Sequence, residues 1–349
     1  MNGKVTLLRA ANKARSMQYN IYGSLRKRAP ILRVPPTLID SALKTRNAGD
    51  AIIMHFVNKR LSELWPKYDF YRVPKHGFAY TIDTEYENTV KILCGTNALA
   101  TDSDYDCSFA LSYNPRQYYQ SVLLLAVGMA HFDRLSTFNS STRRLLKTIL
   151  TPNMLHSVRD SNTIKHLNAA GIQNVVNTSC VTMWDLTQDF CQTIPTEKSV
   201  DVLTTITDYD FDPRQDQYML TTLSEEYKNV YLWLQGSQDL AKASSLDLKP
   251  NVHFINDGFS GLEHFVKEHD DIDYFGTRLH CGIYCLNHGI RSMVVEVDNR
   301  ARDIALDTNL PTVHRSNLQE QMVSLIREAR KTSIILPTEN IRRWKEQFK

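Results

Sequence analysis

Three short segments of this 349-residue chain carry residue types that bind anions or move protons, and each lies beside an apolar run. Gly276-Thr277-Arg278-Leu279-His280 follows the run 272–275 and leads into Gly282, Ile283 and Leu286. Arg278 offers a planar fork suited to a phosphate or carboxylate. His280 falls in the first turn of the expected helix. There the positive end of the helix dipole favours the neutral imidazole and suits it to proton exchange near neutral pH. A histidine simply packed inside the helix is the competing reading. Arg159-Asp160 ends the run 155–158. A charged pair there either faces a cleft or is satisfied locally, with Asp160 capping the helix from Ser161 and Arg159 pairing with it. Asn47-Ala48-Gly49-Asp50 precedes a helical pattern. Gly49 permits close backbone approach, and the free N–H groups of a helix start suit an anionic or polar ligand. Asp50 as a plain N-cap is the alternative. His131, after a further apolar run, either faces the same cleft or is structural.

Composition removes several kinds of chemistry. Lys plus Arg is 41 and Asp plus Glu is 38, a net charge of +3, which argues against a general nucleic-acid binder. Glycine numbers only 13, and neither a Walker loop nor a GxGxxG fingerprint is present. The six cysteines form no CxxC pair. Cys281 and Cys285 sit one helical turn apart with no second pair to complete a zinc site, so reduced, mostly buried thiols are expected and no metal site.

The elements that must position these segments alternate along the chain. Strands are predicted over 37–43, 90–94, 121–128, 155–158, 174–176, 202–207, 230–235, 252–256, 272–275 and 293–297. Helices are predicted over 51–64, 140–150, 161–170, 215–227, 238–244, 262–268, 279–287 and 318–330, with Gly171 closing the third of them. Strands separated by helices give parallel sheets with right-handed crossovers. The polar stretch 191–200, which contains Pro195, marks a domain boundary. The expected organisation is a basic arm over 1–36, Rossmann-like domains over 37–195 and 196–330, and a tail helix over 331–349. In such α/β folds ligands sit outside the carboxyl ends of the strands, here beside an interdomain cleft.

Charge is unevenly spread. Residues 1–39 hold eight cations and no acid. Such an arm either docks on an anionic membrane surface or is a solvated extension. In the tail, Ile341, Trp344 and Phe348 share one helical face among basic residues. That is the pattern of an interfacial helix, or of a tail packed back on the N-terminal domain with Trp344 buried. The N-terminus does not read as a signal peptide, and the longest apolar run is about half a membrane span. A cytoplasmic location with peripheral membrane contact is expected.

In this order and spacing, the three segments resemble the polysaccharide pyruvyl transferase family. Asn47-Ala-Gly-Asp50 looks like that family's N-x-G-D opening. Ser157-Val-Arg159-Asp160-Ser161 follows, and the match is strongest over 273–286, with its Gly-x-Arg-x-His pattern entering a helix. The chain departs from the family at Cys94-Gly95-Thr96-Asn97, where a Gly-Gly-Gly-type turn is common. It departs again at 127–132, where Val-Gly-Met-Ala-His-Phe replaces a Gly-Gln-Gly-type segment.

The resemblance implies a glycosyltransferase-B-like pair of Rossmann-type domains, with the acceptor on the N-terminal side and the donor on the C-terminal side. It implies transfer of the enolpyruvyl unit of phosphoenolpyruvate to a sugar as a cyclic ketal, in the making of a cell-surface polysaccharide such as an exopolysaccharide or capsule. The acceptor would be a saccharide, free or lipid-linked. Arg278, Arg159 and His280 become the expected catalytic residues. Leu279, His131, Asn47, Gly49 and Asp50 become substrate-binding. Phosphoenolpyruvate enters as co-substrate, and no cofactor is expected. The tyrosine-rich stretch 101–119 is the candidate acceptor loop, or a solvated surface loop. A nucleotide-sugar glycosyltransferase of the same architecture is the alternative, with Glu296 or Asp298 as its ribose carboxylate.

Overall fold

The computed structural model describes residues 2–25, 33–75, 82–87, 89–103, 115–130, 135–256 and 258–349. His131 and most of the candidate acceptor loop lie outside the described residues. The chain forms two compact units, one of residues 1–45, 53–181 and 337–349, the other of 46–52 and 182–336. Both are mixed α/β with parallel sheets, as the strand–helix rhythm requires.

In the first unit, α1 (Asn2–Leu25) precedes β1 (Arg33–Asp40). The helix α2 (Ala48–Leu64) follows, its first residues belonging to the second unit. Next come β2 (Arg72–Pro74), β3 (Thr89–Cys94), β4 (Asn97–Leu99), β5 (Val122–Leu125) and β6 (Gly128–Met129). Then α3 (Ser140–Ile149), β7 (His156–Val158), α4 (Ser161–Ala169) and β8 (Val175–Asn177) complete the run. Strands β2-β1-β3-β5 form a parallel sheet, and β4-β6 and β7-β8 are parallel pairs. Strands β3 and β5 are buried throughout, which is why they read as continuous apolar runs rather than alternating ones. Gly171, with φ of 80°, ends α4 in the left-handed region, as its sequence position predicted.

The second unit begins with α5 (Gln188–Cys191) and β9 (Asp201–Thr204). It continues through α6 (Pro213–Glu226), β10 (Val230–Trp233), α7 (Asp239–Ala243), β11 (Val252–Ile255) and α8 (Gly258–Glu268). Then come β12 (Ile272–Gly276), α9 (Leu279–Asn287), β13 (Ser292–Glu296), α10 (Asn299–Thr308), β14 (Thr312–His314) and α11 (Leu318–Arg327). The sheet order is β11-β10-β9-β12-β13-β14, with every neighbouring pair parallel. Counted within the unit, that is the doubly wound order in which the chain reverses direction across the sheet between β9 and β12. Val202, Val230, Leu232 and Val295 are fully buried in the unit's core. Each such side chain contributes roughly 1.5–3 kcal/mol relative to exposure.

The structure settles how the two termini fold and corrects two expectations. The basic N-terminal segment forms the helix α1 over 2–25, with Ser16 Oγ 2.9 Å from Ser141 Oγ of α3 and Tyr19 buried. Of the two readings of the tail, the structure shows the one packed back on the N-terminal domain with Trp344 buried. In α12 (Thr338–Glu346) Trp344 is fully buried, and Phe348 meets Trp65 edge-on at 4.8 Å, so the apolar face covers the end of α2. Asp50 is not the N-cap of α2. Asn47 precedes the helix, and its Oδ1 accepts the Gly49 N–H at 3.0 Å. Finally, residues 299–314, for which the sequence pattern predicts no element, form α10 and β14. The buried face of α10 includes Asp303 and Thr308, so its apolar periodicity is broken.

Candidate functional site

The reversal between β9 and β12 places two loops side by side at the carboxyl ends of the sheet, where ligands bind in such folds. The loops are stitched together. The Thr277 N–H donates to Thr205 O at 3.1 Å, and Thr207 Oγ1 lies 2.8 Å from Thr277 Oγ1. Tyr274 Oη donates to Arg278 O at 2.8 Å, while the Arg278 N–H reaches Thr205 Oγ1 at 3.1 Å. Burial holds the Tyr274 phenol well above its ordinary pKa, so it stays a donor. The backbone of Arg278 is therefore fixed before its side chain is considered.

Arg278 is the N-cap residue of α9 and is only 4% exposed. Its Nε donates to Ile206 O at 2.9 Å, and its Nη2 donates to Asp208 Oδ1 at 2.9 Å and Asp239 Oδ1 at 2.7 Å. The Tyr209 ring lies 5.4 Å from the guanidinium, within cation–π range. The two carboxylates differ. Asp239 is fully buried, and desolvation pushes its carboxyl pKa up against the pull of Arg278. Asp208 sits in a short 3-10 turn and retains solvent access. Leu279 and His280 follow as the first two residues of α9, both buried. Cys281 and Cys285 lie on the same helix in the core, and burial raises the Cys281 thiol.

The Asn47 segment belongs to this unit. The Asn47 Oδ1 accepts Gln235 Nε2 at 2.7 Å, and the Ala48 N–H donates to Gln235 O at 3.0 Å. The Gln235-Gly236 turn is in turn held by Asp239, whose Oδ2 accepts both backbone N–H groups, at 3.0 and 2.7 Å. Asp239 therefore ties the turn that carries Asn47 to the guanidinium of Arg278. Two glycines permit the approach. A Cβ at Gly49 would stand 2.7 Å from Gln235 Nε2, and one at Gly236 would stand 2.6 Å from Arg278 Nη2. Asp50 is buried in the first turn of α2.

Arg159 lies in the first unit, directly after β7, and is 1% exposed. Its Nη2 donates to Asn97 Oδ1 at 2.5 Å, and Nε is 3.5 Å from Asp160 Oδ2. Asp160 caps α4 by accepting the Thr163 N–H at 2.7 Å. Nε and Nη1 of Arg159 make no hydrogen bond among the described residues. A buried guanidinium with open donors favours an anion.

A family model described as polysaccharide pyruvyl transferase matches residues 47–299. The chain belongs to that family. The matched span opens at Asn47 and closes just beyond β13, so it takes in Arg159 and both loops of the reversal. No curated protein and no solved structure matches the chain. Of the pyruvyl transferase motifs in the sequence, the structure brings Asn47-Gly49-Asp50 and Arg278-Leu279-His280 into one unit. Asp208, Tyr209, Gln235 and Asp239 were missed. The available signal was a strand ending at a glycine, Gly236, with an acid three residues on, a pattern too common to stand out unaided. No helix among the described residues is long and apolar enough to cross a membrane.

Proposed function

We propose that this pyruvyl transferase uses phosphoenolpyruvate as donor and forms a cyclic pyruvate ketal on a saccharide. In this reading the two units are the halves of a glycosyltransferase-B-like enzyme. Arg278 binds the anionic donor, and Arg159 is the second candidate cation. His280 delivers a proton to the vinyl CH2 carbon while a sugar hydroxyl attacks the neighbouring carbon. The carbon–oxygen bond to phosphate then breaks, and a second hydroxyl closes the ketal. Of the two hydroxyl protons, one replaces that used at the CH2 group and the other leaves with phosphate. The N–H groups at the start of α9 add anion stabilisation. The chemistry as written calls for no cofactor.

The observation that carries this reading is the placement of Arg278 at the sheet reversal, inside the family match. The nucleotide-sugar alternative is weakened by its own candidate carboxylates. Glu296 accepts Thr312 Oγ1 at 2.6 Å. Asp298 caps α10, is paired with Arg300, and accepts Tyr209 Oη at 3.2 Å. The test is phosphate release from phosphoenolpyruvate with a panel of saccharide acceptors, beside thermal shift with phosphoenolpyruvate and with UDP-sugars. Acceptor-dependent release supports the proposal. Stabilisation by a UDP-sugar alone, with no release, overturns it.

A further inference from the structure

The helix α1 has two unlike faces. Ser16 and Tyr19 are buried, and Tyr22 meets Tyr119 edge-on at 5.5 Å. On the opposite side Met17, Ile21 and Leu25 recur every fourth residue and are 55%, 57% and 76% exposed. Lys13 stands one turn before Met17 on the same side and is exposed. Between α1 and α3 runs a groove of about 450 Å³ whose lining includes Lys13, Met17, Ile21, Ser141 and Arg144. From α3, Arg143, Arg144 and Lys147 are exposed as well.

The charge of this surface is one-sided. The cations exposed on it are Lys13, Arg143, Arg144 and Lys147, and residues 2–25 and 140–149 contain not one acid. The helix α12 is a contrast on the same unit, since there Arg342 is paired with Glu339 and Glu346. An aliphatic stripe bordered by cations suits one partner chemistry. The aliphatic side chains enter the boundary between headgroups and acyl chains while the cations stay among anionic headgroups. A second copy of the chain would set like charges against each other, which is unfavourable.

We propose that the α1–α3 face docks the protein on an anionic membrane surface. The contact is peripheral, and it places the first unit at the bilayer without spanning it.

Sedimentation of the full-length protein tests this, using phosphatidylcholine vesicles and vesicles with about a third phosphatidylserine. Binding is expected to the anionic vesicles and not to the neutral ones at about 0.1 M salt, and to weaken sharply at about 1 M as screening tightens. The Lys13→Glu variant should lower partitioning by at least about fivefold, the factor equivalent to one cation at the surface. The Ile21→Ser/Leu25→Ser variant should lower it by a similar factor or more. These side chains are exposed, so thermal midpoints should stay at the wild-type value. Phosphate release measured without vesicles should also be unchanged in the variants, which separates this test from that of the proposed activity. No binding to anionic vesicles at low salt overturns the proposal, as does binding that neither variant reduces. Self-association that the double-serine variant abolishes would assign the face to a second copy instead and also overturn it.

Discussion

Asp239 Oδ1 accepts from Arg278 Nη2 at 2.7 Å while Asp239 Oδ2 accepts the backbone N–H groups of Gln235 and Gly236. One fully buried carboxylate thus both pairs with the guanidinium and folds the turn that holds Asn47. Asp239 acts on any ligand only through Arg278 and that turn, so it is a positioning residue.

Removing it leaves a buried cation short of a counter-charge and two backbone donors unpaired. Asp239→Ala should lose about 3–5 kcal/mol of stability in urea unfolding. Asp239→Asn keeps acceptor oxygen and volume and should recover part of that loss. In the surviving asparagine variant, the KM for phosphoenolpyruvate should rise more than kcat falls. A loss below about 1 kcal/mol for the alanine variant would show that the pair is dispensable.

Arg278 and His280 should separate kinetically. Lysine cannot satisfy Ile206 O, Asp208 and Asp239 together, because it lacks the fork. Arg278→Lys should therefore raise the KM for phosphoenolpyruvate by about tenfold to a hundredfold, as expected for a lost charge-assisted contact. His280→Ala should lower kcat by about 10²–10⁴ with little change in donor affinity, as expected for a lost proton donor. Steady-state phosphate release reads both, and wild-type kinetics in either variant would remove that residue from the donor site.

His156 gives a pH dependence of stability. Its Nδ1 accepts the Leu124 N–H at 3.2 Å and its Nε2 faces Thr151 O at 3.0 Å, an arrangement for the neutral ring. Burial pushes its pKa down to about 4 from 6.5. Between those values the unfolded chain binds more protons than the folded one, so this contribution rises with pH. It is complete above the unfolded pKa, is lost as pH falls towards 4, and amounts to up to about 3 kcal/mol. Asp216, raised to about 6 chiefly by burial, works in the opposite sense. The measurement is therefore the difference between wild type and His156→Gln, by urea unfolding at several pH values. That difference should shrink as pH falls through the window, and a flat difference would be inconsistent with a neutral buried ring.

Trp344 anchors the tail. It is fully buried and stacks edge-on with Phe348 at 4.9 Å, while Gln347 Oε1 accepts the Leu155 N–H at 2.8 Å. Trp344→Ala should cost about 3–5 kcal/mol in urea unfolding, the range for a large aromatic truncated in a core. A change within about 0.5 kcal/mol would mean the helix α12 is not an integral part of the first unit.

The strand–helix alternation, the closing of α4 by Gly171 and the family motifs are legible in the residues alone, while the cap that Asp160 places on α4 is one of two readings they leave open. These depend on short-range rules: apolar periodicity, a side-chain oxygen near free N–H groups, a glycine at a positive φ. Helix α10 escaped because polar Asp303 and Thr308 are turned inward, where their neighbours satisfy them, and no local pattern announces that. Tertiary structure alone decided the company that Arg278 keeps. Asp208, Asp239 and Gln235 are 70, 39 and 43 residues away in sequence, and they meet at Arg278 and Gly236 because β9, β10 and β12 lie side by side in the sheet. It also decided that Asn47 joins Gln235, 188 residues on, and that the basic N-terminal segment becomes a helix with a buried face. Such pairings are set by strand order and by burial, and strand order follows from how the whole sheet packs rather than from any one segment.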